Sequence, residues 1–158
     1  MELPESKLPH VGTTIFSVMS AMAQQHGAIN LGQGFPGFGI DSRLVDEVSQ
    51  AMREGHNQYA PMPGMPMLTE LIAEKIFQCY GHRYHAPSEV TITAGATQAL
   101  YSVFAAFVNP GDEVILFAPA YDSYAPAISV HGGVPVWIRL REPDYQIDWD
   151  EVASRITP

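Results

Sequence analysis

Cysteine is nearly absent. Cys79 stands alone among 158 residues, which excludes an internal disulfide framework and fits a reducing compartment, so a cytoplasmic setting is the expectation. Basic residues are scarce too. Eight Lys and Arg stand against 17 Asp and Glu, a formal net charge of −9, and they lie singly, without the positive stripe that grips a phosphate backbone or an anionic membrane. Nucleic acid and membrane are therefore not expected partners. No apolar run nears bilayer-spanning length, and residues 1–7 lack the basic region and apolar core of a leader peptide, so no targeting signal is expected there. Also missing are a Gly-x-Ser-x-Gly elbow and a Walker loop.

What is present is the composition of a globular chain of about one domain, 46% hydrophobic and 16% charged. From Ser88 onwards helical and extended patterns alternate, the order of an α/β domain. Ahead of that, Pro4 and Pro9 mark an extended arm, and Ile15, Met19 and Met22 recur at helical spacing over residues 13–25, with Gly27 as the stop. A Gly/Pro-dense loop at 32–39, a short helix at 42–54 and a second loop at 57–63 follow. Residues 66–80 read as a helix with Leu68, Leu71, Ile72, Ile76 and Cys79 on one face, Pro66 in its first turn and Gly81 at its end. The β-branched run 90–94 reads as a strand that turns at Gly95 into a helix marked by Leu100, Val103, Phe104 and Phe107. Residues 113–118 read as a buried strand of a parallel sheet, 121–130 as a helix and 134–140 as a third strand; Asp148 caps a last helix, with Glu151 three residues on.

Four places could carry chemistry. At Thr93-Ala94-Gly95-Ala96-Thr97-Gln98 a strand turns directly into a helix. Unpaired N–H groups, the positive end of the helix dipole and the Thr97 hydroxyl suit an anion such as phosphate; a threonine that merely caps the helix would look the same. Tyr121, past the C-terminal end of the second strand, is where open parallel sheets bind ligands and could offer its face to a heteroaromatic ring, or pack with Tyr124 on one helix face. Gly34, without a Cβ, lets a ligand approach the main chain, although such a glycine also serves a plain turn. For Asn57-Gln58-Tyr59 the chemistry alone assigns nothing. Cys79, His82 and His85 have metal-like spacing, but Gly81 breaks the helix between them and no fourth ligand is evident, so no metal is expected. Asp148, Asp150 and Glu151 fit a helix start better than a carboxylate site.

Taken in order, Asn30-Leu31-Gly32-Gln33-Gly34-Phe35-Pro36, Asn57-Gln58-Tyr59, Thr93 to Leu100, Gly111-Asp112-Glu113-Val114 and Tyr121-Asp122-Ser123-Tyr124-Ala125-Pro126 resemble the class I/II (fold type I) aminotransferases, most nearly the methionine and kynurenine (glutamine) branch. The resemblance covers nearly the whole chain, which corresponds to well under half of a full family member. It implies pyridoxal 5′-phosphate as cofactor, an amino acid and a 2-oxo acid as substrates, and a homodimer. By resemblance Ala96 and Thr97 hold the cofactor phosphate, Tyr121 stacks on its ring, and Tyr59 reaches the phosphate of the neighbouring subunit. Gly34 meets the substrate carboxylate and Phe16 lines a pocket for large apolar, aromatic or amide amino acids. The fold it implies is an incomplete large domain, a parallel-type sheet with flanking helices over residues 57–158, preceded by an arm, a helix and a substrate loop of the small domain over residues 1–56.

The family's Schiff-base lysine, the aspartate on the pyridinium nitrogen and the arginine on the substrate carboxylate have no counterparts here. Lys7 and Lys75 are the only lysines, and neither stands in a family-like context, so no catalytic residue is assigned and the chain by itself is expected to be inactive. In the family the first strand lies towards one edge of the sheet and the next two towards the other, with later strands between. Three strands alone imply a gap, unpaired edges and marginal stability. A cysteine-conjugate β-lyase shares the same scaffold and motifs, and a non-catalytic remnant that binds a phosphate ligand or a partner chain is the alternative outside enzymes. A generic nucleotide-binding module would need an acidic residue where Ala118-Pro119 stands.

Overall fold

The computed structural model describes residues 5–34 and 36–157. They form two compact units, one from residues up to Gly32 and from Ala94 onwards, the other from Gln33 to Thr93. The architecture is α/β, a partial domain with a two-stranded parallel sheet and helices.

In the first unit, α1 (Ile15–Gln25) begins at Thr14, whose hydroxyl accepts the Ser17 N–H at 3.3 Å, and runs out just before Gly27 at φ 59°. Strand β1 (Glu113–Ala118) pairs in parallel with β2 (Val134–Arg139), in register from Glu113 opposite Val134 to Ala118 opposite Arg139. Parallel neighbours need a crossover, and the short helix α6 (Tyr124–Val130) supplies it, packing on both strands. The core lies there: Ile128 of α6 and Ile138 of β2 are 0% and 1% exposed, and Leu116 is buried beside them in sequence register with Trp137. Gly133 permits the close packing, since a Cβ on it would stand 2.5 Å from Val108 Cγ1 and 2.8 Å from Ile128 Cγ2. The longer helix α5 (Gly95–Phe107) packs against α6. The last helix, α7 (Trp149–Ser154), starts at Asp148, whose carboxylate accepts the N–H groups of Asp150 and Glu151 at 3.0 Å each, the capping geometry expected of that cluster.

In the second unit, α3 (Pro66–Tyr80) has the bounds that Pro66 and Gly81 dictate, the latter at φ 72°. Its covered face differs from the expected one. Thr69 and Ala73 are buried and Ile72 and Ile76 half-buried, whereas Leu68, Leu71 and Cys79 are exposed. The reason is the partner: a four-residue helix α4 (Ala86–Glu89), which periodicity did not suggest, packs on α3, and the small side chains of Ala73 and Ala86 are the ones covered. Residues 90–94, expected as a strand, are not one. Val90 has extended angles (φ −126°, ψ 125°), but the backbone bond described for this run goes from the Ile92 N–H to the Pro63 carbonyl, and no ladder forms. A strand exists only with a neighbour, and β-branched composition does not supply one.

The remaining helix, α2 (Ser42–Arg53), is held at its start by Asp41, which accepts the Arg43 N–H at 2.9 Å and the Arg43 guanidinium at 2.8 Å. These bonds, the guanidinium first and the backbone N–H second, hold the Asp41 carboxyl below its ordinary range. A lowered carboxyl stabilises the helix start above the ordinary aspartate range, and that support is lost as pH falls through the lowered value. A carbon-detected titration of Asp41 is expected to give a midpoint below that of a free aspartate; a midpoint at or above it would contradict the cap.

Candidate functional site

The extended run that precedes α5 enters the helix at Gly95, whose φ of 84° is a conformation that side chains rarely adopt. Ala94 is the N-cap and offers no side-chain bond; instead the Gln98 side-chain carbonyl turns back and accepts the Ala94 N–H. Thr97 is therefore not the cap. It stands inside the first turn with Ala96, and both are exposed. N–H groups of a first turn have no carbonyl acceptor within the helix, and the helix dipole places partial positive charge on them. No acidic residue occupies that turn. The Ala96 and Thr97 amides and the Thr97 hydroxyl are donors suited to an anion.

Tyr121 lies past the C-terminal end of β1, in a turn closed by the Tyr124 N–H on the Tyr121 carbonyl at 3.3 Å. The expected helix over 121–130 begins only at Tyr124, so Tyr121 is a turn residue, and it is 51% exposed. Two other rings flank it. Phe16 of α1 stands 5.8 Å away at 31°, and Tyr124 at 5.9 Å and 50°, both centroid to centroid. Of the residues singled out in the sequence, Phe16 and Tyr121 are thus in contact, and Ala96 and Thr97 belong to the same unit. Gly34 and Tyr59 belong to the other unit. A Cβ at Gly34 would meet nothing within 4 Å, and Tyr59 is fully exposed. The sequence reading missed the backing role of Gln98; the packing of Tyr121 with Tyr124, one of the two roles it left open, is present, although Tyr121 lies ahead of the helix. Gln98 sits one turn after the N-cap, a spacing that marks a side chain able to reach back.

The other candidates have local roles. His82 packs edge-on to Tyr84 at 4.5 Å, and His85 Nδ1 lies 2.7 Å from Ser88 Oγ. Among the described residues no three His, Cys, Asp or Glu side chains gather as a metal site would require, and no helix is long and apolar enough to cross a membrane.

The sequence profile of the class I and II aminotransferases matches residues 26–158. The chain is 50% identical over 155 residues to the methionine aminotransferase of Escherichia coli K12, covering 98% of this chain and 40% of that protein. With mouse kynurenine–oxoglutarate transaminase 1 it shares 35% over 150 residues, 87% of this chain and 35% of the relative. A solved E. coli structure described as having methionine aminotransferase function superposes with a TM-score of 0.94 at 50% identity, over 99% of this chain and 41% of that one. The chain thus spans about two fifths of the length of such relatives. Proteins of this family depend on pyridoxal 5′-phosphate and have the fold type I architecture. The chain belongs to the class I and II aminotransferases.

Proposed function

We propose that this chain is the part of a transaminase that grips pyridoxal 5′-phosphate, in an enzyme that moves the amino group of a large apolar, aromatic or amide amino acid, of the methionine, kynurenine or glutamine type, to a 2-oxo acid. The observation that carries the reading is the exposed first turn of α5, in which the Ala96 and Thr97 amides and the Thr97 hydroxyl can serve an anion and no carboxylate stands among them. Donors of this kind fit a phosphate monoester, and the half-exposed Tyr121 ring fits a flat heteroaromatic.

Bound there, the cofactor supplies an electron sink for the Cα–H bond of an amino acid. The chain's own residues bind and orient. Ala96 and Thr97 donate N–H bonds to the phosphate, and the Thr97 hydroxyl adds another. Tyr121 covers one ring face and keeps water from it, with Phe16 extending the apolar wall. Gly34 leaves its main chain open to a carboxylate, and Tyr59 serves the phosphate of a second copy, which makes the complete enzyme a homodimer; the lone Cys79 suits a cytoplasmic setting. The domain division at residue 56 follows the same family pattern. Neither Lys7 nor Lys75 is a proton-transfer base in this reading: both are exposed, one on the arm and one on α3.

The phosphate grip is testable on the chain itself. Thr97→Ala is expected to weaken pyridoxal 5′-phosphate about tenfold, the loss of one bond to a charged acceptor. Pyridoxal, which lacks the phosphate, is expected to be unaffected. Equilibrium dialysis reads both, and an equal loss for the two ligands, or no saturable binding of the phosphorylated one, would sink the reading.

A further inference from the structure

Tyr121 is carried by a turn, and an aromatic side chain on a turn is free to exchange among its staggered χ1 wells unless neighbours remove the choice. Two rings touch it, and they differ in how firmly they are held. Phe16 rides on α1, in which no residue is buried. Tyr124 opens α6, the helix seated in the core by the fully buried Ile128 one turn later. Its ring is half-buried, 5.9 Å from Tyr121 and tilted at 50°, within the range in which aromatic pairs attract edge to face or offset. Tyr124 takes no part in the phosphate grip, and its phenol makes no hydrogen bond among those described.

We propose that Tyr124 is a positioning residue: its ring, fixed to the core through α6, holds Tyr121 in one rotamer with its free face presented to the ligand ring. The role runs through the ring and not the hydroxyl. The inference rests on Tyr121 being the stacking platform of the proposed function, and that dependence can be separated experimentally.

The test uses the 158-residue chain with labelled tyrosine, reading the χ1 population of Tyr121 from couplings of its Cγ to the backbone nitrogen and carbonyl. A single well is expected in the native chain and in Tyr124→Phe. Averaged couplings are expected in Tyr124→Ala and in Tyr124→Leu, the second of which keeps apolar volume at the start of α6. The Ile128 methyl signals in the same samples report whether the helix stays seated. In parallel, pyridoxine 5′-phosphate affinity is expected to fall about fivefold in Tyr124→Ala, as expected for loss of one aromatic pair, while inorganic phosphate affinity stays constant. A single Tyr121 rotamer in both ring-deleted variants, or averaging already in the native chain, would overturn the proposal. If Tyr121→Ala left pyridoxine 5′-phosphate affinity unchanged while the rotamer effect of Tyr124 persisted, the stacking role of Tyr121 would fail and the positioning contact would stand.

Discussion

Joined in one polypeptide to the remaining three fifths of the E. coli methionine aminotransferase, these 158 residues are expected to exchange the amino group of methionine with a 2-oxo acid, whereas the chain alone is expected to give no turnover. The joined protein is expected to work because the two sequences are 50% identical over 155 residues and the backbones superpose with a TM-score of 0.94. At that likeness the binding groups of this chain would meet the partner half in place. The chain alone is expected to fail for a chemical reason. A positioned base contributes on the order of 10² to 10⁴ in rate to a proton transfer, and the lysines here are exposed residues of the arm and of α3. Tyr121→Ala in the joined protein is expected to lower cofactor retention on dialysis together with turnover. Turnover by the separate chain that disappears in Lys7→Ala or Lys75→Ala would refute the division of labour. A joined protein that binds the cofactor stoichiometrically yet leaves methionine untouched would count against the substrate class.

How much of this could be read from the sequence depends on whether the cause was local. The bounds of α3 follow from Pro66 and Gly81, those of β1 from an apolar run between Asp112 and Pro119, and both were legible because the signals are adjacent in the chain. The start of α5 was legible for the same reason, since Gly95 sits at the junction. The run 90–94 has the composition of a strand, but its pairing is a property of another segment, and no described segment pairs with it. The covered face of α3 was misread because α4, four residues long, leaves no periodicity to detect. The contact between Phe16 and Tyr121 joins residues far apart in the chain, and only the family resemblance placed both near one ligand.

Ile128→Ala is expected to cost the α6–β1–β2 core about 3 kcal/mol, the loss of a fully buried branched side chain together with the cavity left behind. Hydrogen exchange of the β1–β2 ladder amides is the measurement, because among the large side chains of the described residues only Ile128 and Ile138 are fully buried and the chain as a whole is expected to lack a sharp cooperative melt. A sharp transition in a monomeric sample would refute that expectation. Gly133→Ala is expected to destabilise the same ladder for the opposite reason, overpacking, since its Cβ would press on Val108 Cγ1 at 2.5 Å and Ile128 Cγ2 at 2.8 Å. The two costs share one space, so they are not independent. Removing the Ile128 side chain vacates one of the three atoms that the new methyl meets, while Val108 Cγ1 and the Ile128 carbonyl at 3.3 Å stay. The double variant is therefore expected to be more stable than the sum of the single losses allows, by roughly 1 kcal/mol on the scale of contacting pairs, yet less stable than Ile128→Ala alone. Strict additivity would mean that Gly133 is required by Val108 and the backbone only, and that α6 is not seated on β2 through Ile128.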